Sequence, residues 1–209
     1  MRKILFSLLL LVSITAMAKE KQDDSKYLTG AVPEVNGIVT FKKSFSVSAK
    51  SAEEINTTMR EFVNGLVKNS ISAPGNFARI IEDENGRIVA RVCEWMVFKK
   101  KALVLDRARF RYQIEVTTEG NHVGIVITNL TYYYYEDMET QNGIIFKAEE
   151  WISDKEALNK AGTKLYPKSG KFRRKTVDRM EEIFDTIMDN FEEEEVAPTK
   201  PVRRNIIEE

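Results

Sequence analysis

Between residues 77 and 135 the chain repeatedly alternates polar and apolar residues, and short turns separate the alternating segments. A period of two indicates strands that have one covered face. Asn85-Gly86 favours the positive φ angles of a tight hairpin turn. The corners at 99–101 and 119–121 are equally short, and strands joined in this way run antiparallel. We therefore predict consecutive antiparallel strands over about 77–82, 87–98, 104–116 and 122–135.

Two amphipathic helices flank these strands. Ser51 and Glu54 have the spacing of a capping box, and the apolar residues after them recur at helical spacing, which predicts a helix over 52–68. A longer apolar stripe predicts a second helix over 172–192. Each stripe needs cover, and the apolar face of the sheet can provide it. The predicted fold is therefore α+β, an antiparallel sheet of about five to six strands with an N-proximal helix and a long C-terminal helix packed on it, in the order β-α-β(4–5)-α.

Three further elements complete the predicted fold. Alternation over 39–47 predicts the first strand, which precedes the first helix. Residues 144–152 predict one more strand. A second possible capping box at Ser153 and Glu156 begins a short helix that ends near Lys160.

The N-terminal segment over 1–18 has the three parts of a secretory signal peptide. Residues 1–3 are positively charged, 4–14 are nearly all apolar, and Ala16-Met17-Ala18 supplies small residues at the cleavage spacing. An uncleaved anchor is the alternative, but an apolar run of about eleven residues is too short to cross a bilayer of about 30 Å as a helix. We therefore expect cleavage after Ala18 and a periplasmic or secreted protein.

The remainder divides into a lead, a domain and a tail. We predict a flexible, polar lead over 19–32, a single α+β domain over 33–192 and a charged, disordered tail over 193–209. Without Arg2 and Lys3 the chain carries 30 basic and 32 acidic residues, a net charge of −2. That balance gives no long-range attraction to nucleic acid, and no second apolar run reaches membrane-spanning length. We expect neither a nucleic-acid partner nor a membrane span after cleavage.

The chain contains few residues that could build a catalytic or metal site. His122 is its only histidine and Cys93 its only cysteine, which argues against a nucleophilic triad and a zinc site. An all-oxygen calcium site around 83–85 is conceivable, although the stretch lacks the EF-hand loop pattern. Glycine-rich phosphate loops are also missing from the sequence. We therefore expect no cofactor, no metal and no catalytic residue.

Glu94 is the one carboxylate for which we also consider a catalytic role. It shares the apolar register of its strand with Val92 and Met96, where it could be desolvated as a general acid requires. That interpretation would make the protein a hydrolase or isomerase. The competing interpretation, which we favour, pairs Glu94 with an arginine on the next strand, such as Arg107.

Four aromatic residues form the candidate binding surface. Tyr133 and Tyr135 share one face of their strand, and at least one tyrosine pair of this run should lie away from the core. Exposed tyrosines suit carbohydrate or protein contacts, although plain sheet packing is the alternative. Together with Trp95 and Trp151 they could line a groove between the sheet and the C-terminal helix that holds a small apolar ligand.

A basic row lies on one face of the strand over 104–116. Arg107, Arg109 and Arg111 alternate with apolar residues, so their side chains share a face. This row could meet an anionic glycan or an acidic partner surface, and a solvated face of the sheet is the alternative.

Several segments of the sequence resemble a known protein family. These segments are 32–41, 51–55, the hairpin strand that ends in Trp95, 148–152 and 172–176. The chain resembles, over about 32–135, the domain-of-unknown-function family with a TATA-binding-protein-like fold that is common in exported proteins of Gram-negative gut-type bacteria. The resemblance implies a fold and an exported compartment. It brings no established activity and no catalytic residues, and a fold name does not bring DNA binding with it.

These observations favour an exported, non-enzymatic binding module whose partner is a small apolar ligand, a glycan or a protein. A ligand-sized apolar cavity between sheet and helix would favour the small ligand or the glycan. A filled core with an exposed tyrosine or edge-strand surface would favour an interaction or structural component of the cell envelope. A titrating Glu94 in an open cleft would favour the enzyme.

Overall fold

The computed structural model describes residues 23–48, 50–73, 75–102, 104–134 and 143–192. The predicted signal peptide over 1–18, the predicted tail over 193–209 and Tyr135 lie outside the described residues. No helix among the described residues is long and apolar enough to span a membrane.

Strands and helices follow one another in the predicted general order. The strands are β1 (Glu34–Val35), β2 (Ile38–Val39), β3 (Phe41–Ser46), β4 (Arg79–Glu84), β5 (Arg87–Lys101), β6 (Val104–Glu119), β7 (His122–Tyr134) and β8 (Ile144–Lys147). The helices are α1 (Ala52–Lys68), α2 (Ala148–Trp151), α3 (Asp154–Ala157) and α4 (Pro167–Glu192), and a 3-10 turn (Ser25–Tyr27) precedes them all.

One antiparallel sheet of six strands forms the centre of the molecule. Its order is β3-β7-β6-β5-β4, and β8 pairs with the C-terminal half of β7, beyond the end of β3. β1 and β2 form a separate two-stranded hairpin. The predicted α+β class, the antiparallel sheet and the two packed helices are confirmed.

Helices α1 and α4 cover one face of the sheet, and we call the opposite face the open face. The even-numbered side chains over 108–116 are fully buried on the covered face. Beneath α4, the ring centroids of Phe110 and Tyr132 lie 5.3 Å apart, and those of Tyr132 and Phe172 lie 5.1 Å apart. The Tyr132 hydroxyl hydrogen-bonds to Thr176 at 2.7 Å, and burial raises its pKa. Between Phe172 and Thr176, the space beneath α4 is therefore filled with side chains.

Helix α1 has the predicted bounds because its start and its apolar face are both local signals. Ser51 Oγ accepts the Glu54 N–H at 3.2 Å, and Glu54 Oε2 accepts the Ser51 N–H at 2.7 Å, so the capping box is formed. Ile55, Met59 and Val63 are buried against the sheet.

The predicted strand over 144–152 is wrong in its second half. β8 ends at Lys147, and the next four residues form α2. Ala148 is fully buried, and Glu149 and Glu150 occupy the first helical turn, where negative charge is favourable. Glu149 Oε1 also accepts the backbone N–H of Val39 at 2.8 Å, which ties α2 to β2.

Two helix boundaries also differ from the prediction. Ser153 precedes α3, but its side chain makes no capping hydrogen bond, and α3 ends at Ala157 instead of near Lys160 because Leu158 is extended and bridges to Leu165. α4 begins at Pro167, five residues before the predicted start, because proline suits the first helical turn, where its missing N–H is not needed.

The segment predicted as a flexible lead is packed against α4 in its described part. Arg173 of α4 is fully buried, and its guanidinium donates to the carbonyl oxygens of Tyr27, Leu28 and Ile152 at 2.6–2.7 Å. Arg173 also donates to Asp154 Oδ1 at 2.6 Å. The polar composition of 19–32 conceals this attachment, because the backbone carbonyls of the segment make the contacts.

Candidate functional site

The candidate aromatic residues divide between two faces of the sheet. Trp95 and Tyr133 lie on the open face, among the arginines of β6. Trp151 lies on the helix side, where it stacks on Phe146 with ring centroids 4.3 Å apart. Tyr135 lies outside the described residues. The three described candidates therefore belong to two separate surfaces.

Guanidinium groups stack on aromatic rings across the open face, and we call this group the arginine platform: Arg91, Arg107, Arg109 and Arg111 with Phe77, Trp95 and Tyr133. Arg107 Cζ lies 3.6 Å from the ring centroid of Trp95, and Arg109 Cζ lies 5.3 Å from it. Arg111 Cζ lies 4.6 Å from the ring centroid of Tyr133. Cation–π contacts of this kind stabilise by about 0.5–1 kcal/mol each at exposed sites.

Phe77 extends the platform from the chain just before β4. Its ring centroid lies 4.9 Å from Arg111 Cζ and 5.7 Å from Arg91 Cζ, so the Phe77 ring contacts both guanidinium groups. The strand prediction placed Phe77 within the hairpin, and the structure begins β4 two residues later, at Arg79. Phe77 has no sequence signal of a binding residue, because its partners depend on the register of β5 and β6.

The register of β5 and β6 explains how the arginines reach these rings. Odd-numbered residues of both strands face outward, and Trp95 lies opposite Arg109. Cys93 lies opposite Arg111, and the small thiol leaves room for the guanidinium to lie along the sheet. The basic row of β6 was evident in the sequence, whereas its rings come from three other segments.

A bulge in β7 determines which tyrosines face outward. Asn129 adopts a φ of 56° where the register of β6 and β7 shifts. Before the bulge the odd-numbered residues over 123–127 are buried, whereas after it Tyr132 and Tyr134 are buried and Tyr133 faces outward. Regular alternation continued from residue 127 would place Tyr133 in the core.

Charge is distributed unevenly along the open face. At one end, Arg87 pairs with Glu115 at 2.8 Å and with Glu82. Towards the other end, Arg107 and Arg111 form no ion pair with any carboxylate among the described residues. Arg107 and Arg111 therefore present positive charge that is stacked on rings and not neutralised by the carboxylates of the described residues.

Cys93 and His122 do not form a nucleophilic pair. Cys93 is fully buried, and burial raises the pKa of its thiol although Arg111 acts in the opposite direction. His122 is exposed at the start of β7, with Nδ1 3.4 Å from Ser46 Oγ. The thiol therefore stays protonated as a small side chain that is buried beside Arg111 on the open face.

Glu94 binds an arginine, but from α4 and not from the next strand. Its Oε1 and Oε2 accept from Arg179 Nε and Nη2 at 2.8 and 3.0 Å. Arg107 is stacked on Trp95, so the predicted Glu94–Arg107 pair is wrong. Phe110 lies opposite Glu94 in the register, which leaves the carboxylate directed towards the helix. Because both carboxylate oxygens are engaged, the pair joins α4 to β5, and a proton donor would have to break it.

No metal site is evident in the described part of the chain. No group of three or more His, Cys, Asp or Glu side chains there could hold a metal ion. Asp83, in the stretch considered for calcium, instead accepts from Arg60 Nε and Nη2 at 2.6 and 2.8 Å. This ion pair lowers the pKa of Asp83 and ties β4 to α1.

Comparison with known proteins places this fold in a family. The family model described as "Domain of unknown function (DUF4468) with TBP-like fold" matches residues 41–133. A TBP-like protein from Parabacteroides distasonis is 17% identical, with a TM-score of 0.56 over 78% of this chain and 97% of that chain, and shares the fold. No protein of curated function matches. A crystal structure of a DUF4468 family protein from Bacteroides ovatus is 38% identical, with a TM-score of 0.73, and covers 87% of this chain and 100% of that chain. The chain therefore belongs to the DUF4468 family, as the resemblance in its sequence indicated.

Proposed function

We propose that this protein is an exported, non-enzymatic binding module whose arginine platform binds an acidic partner protein. The observation that carries the proposal is the stack of Arg107 on Trp95, with Cζ 3.6 Å from the ring centroid. A guanidinium held against a ring keeps its N–H edges available for a carboxylate and loses little side-chain entropy on binding. The platform is therefore preorganised for carboxylate groups.

The same stacking argues against a neutral sugar as the main ligand. A sugar ring binds by lying on an open aromatic face, and guanidinium groups already lie over Trp95 and Tyr133. Exposed apolar residues adjoin the platform, with Val97 37% exposed opposite Arg107 and Ile145 52% exposed opposite Tyr133. Arginine and aromatic side chains with apolar neighbours are typical of protein interfaces. These features favour an acidic protein over a glycan.

Binding of poly-L-glutamate at low ionic strength tests the platform. We expect the Arg107→Gln/Arg111→Gln double variant to bind this probe at least about tenfold more weakly, because two bidentate contacts are lost. The matched control is Lys42→Gln/Lys43→Gln, which removes two positive charges from exposed positions on β3. Equal losses in both variants would contradict a localised site. Tighter binding of polygalacturonate than of polyglutamate by the native chain would favour the glycan alternative.

The exported location rests on the signal-peptide pattern over 1–18. Expression of the full chain in a Gram-negative host, followed by fractionation and N-terminal sequencing, tests it. We expect an envelope or extracellular product that begins at Lys19. A cytoplasmic product that begins at Met1 would overturn this part of the proposal.

A further inference from the structure

An aromatic cleft of about 380 Å³ lies at the N-terminal end of α4, where this helix meets β7, β8 and α2. We call it the edge cleft, and its main lining residues are Tyr134, Phe146, Trp151, Lys168, Lys171 and Phe172. It lies on the helix side of the sheet, so it is separate from the arginine platform. Its volume is within the range of small-molecule sites, about 300–1,000 Å³.

One wall of the edge cleft is aromatic. Phe146 and Trp151 stack with an interplanar angle of 16°, and their ring centroids lie 4.3 Å apart. Phe172 supports this pair from below, edge-on to Trp151 with centroids 6.0 Å apart. Phe172 itself is fully buried, which fixes the position of the wall. Such a surface suits the flat body of an aromatic ligand.

Two lysines one helical turn apart give the edge cleft positive charge. Lys171 Nζ lies 4.4 Å from the ring centroid of Tyr134 and pairs with Asp106 at 2.8 Å. Lys168 is exposed at the rim and pairs with no carboxylate among the described residues. One of the two ammonium charges at the cleft is therefore not neutralised within the described structure, which complements an anionic group on a ligand.

We propose that the edge cleft binds a small aromatic carboxylate. Its ring lies against Trp151 and Phe146, and its carboxylate meets the Lys168 ammonium at the rim. The apolar wall selects the ring, and the lysine distinguishes an acid from a neutral analogue of the same shape. This site does not depend on the proposed function of the platform, because the two surfaces share no residue.

The two tryptophans of the chain allow the two surfaces to be monitored separately. In ¹H–¹⁵N spectra of the full chain, each indole N–H gives one signal, and Trp95→Phe assigns them. The probes are 3-phenylpropionate and its neutral analogue 3-phenylpropan-1-ol. We expect the acid to shift the Trp151 signal, with an affinity at that signal roughly fivefold above that of the alcohol. The Trp95 signal reports separately on any contact of the carboxylate with the arginine platform. An unmoved Trp151 signal, or equal affinities for acid and alcohol, overturns the proposal.

A charge-reversal pair isolates the contribution of Lys168. Both Lys168 and Lys175 are exposed on α4, but only Lys168 lines the edge cleft. We expect Lys168→Glu to weaken binding of 3-phenylpropionate at least about fivefold, Lys168→Arg to retain it, and Lys175→Glu to leave it nearly unchanged. Equal losses for the two glutamate variants would show a general charge effect and overturn the site. Because both side chains are exposed, the variants should remain folded.

Discussion

The covered face and the open face of the sheet use the same strands for different purposes. On β6, Phe110, Tyr112 and Ile114 are fully buried beneath the helices, whereas Arg107 and Arg111 on the other side remain partly exposed. A charged side chain on the covered side is paired with an opposite charge, as Arg179 is with Glu94. The arginines of the platform are instead stacked on aromatic rings. Packing of apolar side chains therefore stabilises the fold on the covered face, and arginines stacked on aromatic rings form the proposed binding surface on the open face.

The largest expected effect comes from removing a ring on the covered face. Phe172→Ala should lower the free energy of unfolding by about 4 kcal/mol, because a fully buried side chain is replaced by a cavity in the aromatic cluster. Urea denaturation measures the change. The control is Leu105→Ala, which truncates a leucine that is 51% exposed. It should lower the free energy of unfolding by no more than about 0.5 kcal/mol. Similar losses for the two variants would contradict the distinction between interior and surface.

The second largest loss of stability is expected from removing the buried guanidinium of Arg173. Arg173→Ala should cost about 3 kcal/mol, because it leaves Asp154 and buried carbonyl oxygens of the lead and of Ile152 without their donor. We also expect faster proteolysis within 23–32, measured by mass spectrometry of the fragments. Arg174→Ala breaks a partly exposed pair with Asp24 and should cost about 1 kcal/mol. Unchanged proteolysis in Arg173→Ala would show that the lead is held by other contacts.

A smaller, pH-dependent effect is expected at Asp106. Burial acts to raise the pKa of Asp106, but hydrogen bonds from Lys171 and Tyr134 at 2.8 and 2.7 Å outweigh it and hold the pKa below its usual value. A carboxyl whose pKa is lowered by folding stabilises the fold above its unfolded value and loses this contribution as the pH falls through the folded value.

Asp106→Asn should therefore cost about 1 kcal/mol at pH 7, and the difference from the native chain should shrink below about pH 4. Urea denaturation across this pH range measures it. The control variant, Asp185→Asn, changes an exposed carboxylate of α4 and should run parallel to the native chain. A pH-independent loss in Asp106→Asn would indicate a packing effect instead.

The smallest effect on stability is expected on the open face. Arg107→Gln removes one stacked guanidinium and should cost about 0.5 kcal/mol, within the range for an exposed cation–π contact. Urea denaturation and polyglutamate binding should therefore separate in this variant, with binding reduced and the fold nearly unaffected. A stability loss as large as that of Phe172→Ala would show that the platform is part of the core.

Local patterns predicted the elements well, whereas contacts between distant segments were harder to predict. The capping box and apolar stripe of α1 lie within its own residues, and alternation with short turns led directly to the antiparallel sheet. The partner of Glu94 could not be predicted because Arg179 is 85 residues away on another element. Phe77 and Trp95 join the arginines of β6 only through the register, which the sequence does not contain.

The contacts of the lead and of the edge cleft also could not be predicted from the sequence, for two different reasons. The attachment of the lead uses backbone carbonyl oxygens, which leave no trace in composition. The sequence predicts that Trp151 could line a groove together with Trp95, but α2 replaces the second half of the predicted strand, and the indole stacks on Phe146. In both places, tertiary packing determined a contact that local propensity left open.

The extra residue at Asn129 is a point where the length of β7 can change without turning the strand over. If Asn129 were deleted, regular alternation from Ile127 would keep Leu130, Tyr132 and Tyr134 in the interior. A deletion between residues 130 and 134 would instead exchange inside and outside for the residues on one side of it. Homologues should therefore tolerate the loss of the bulge residue more readily than a loss elsewhere in this half of the strand.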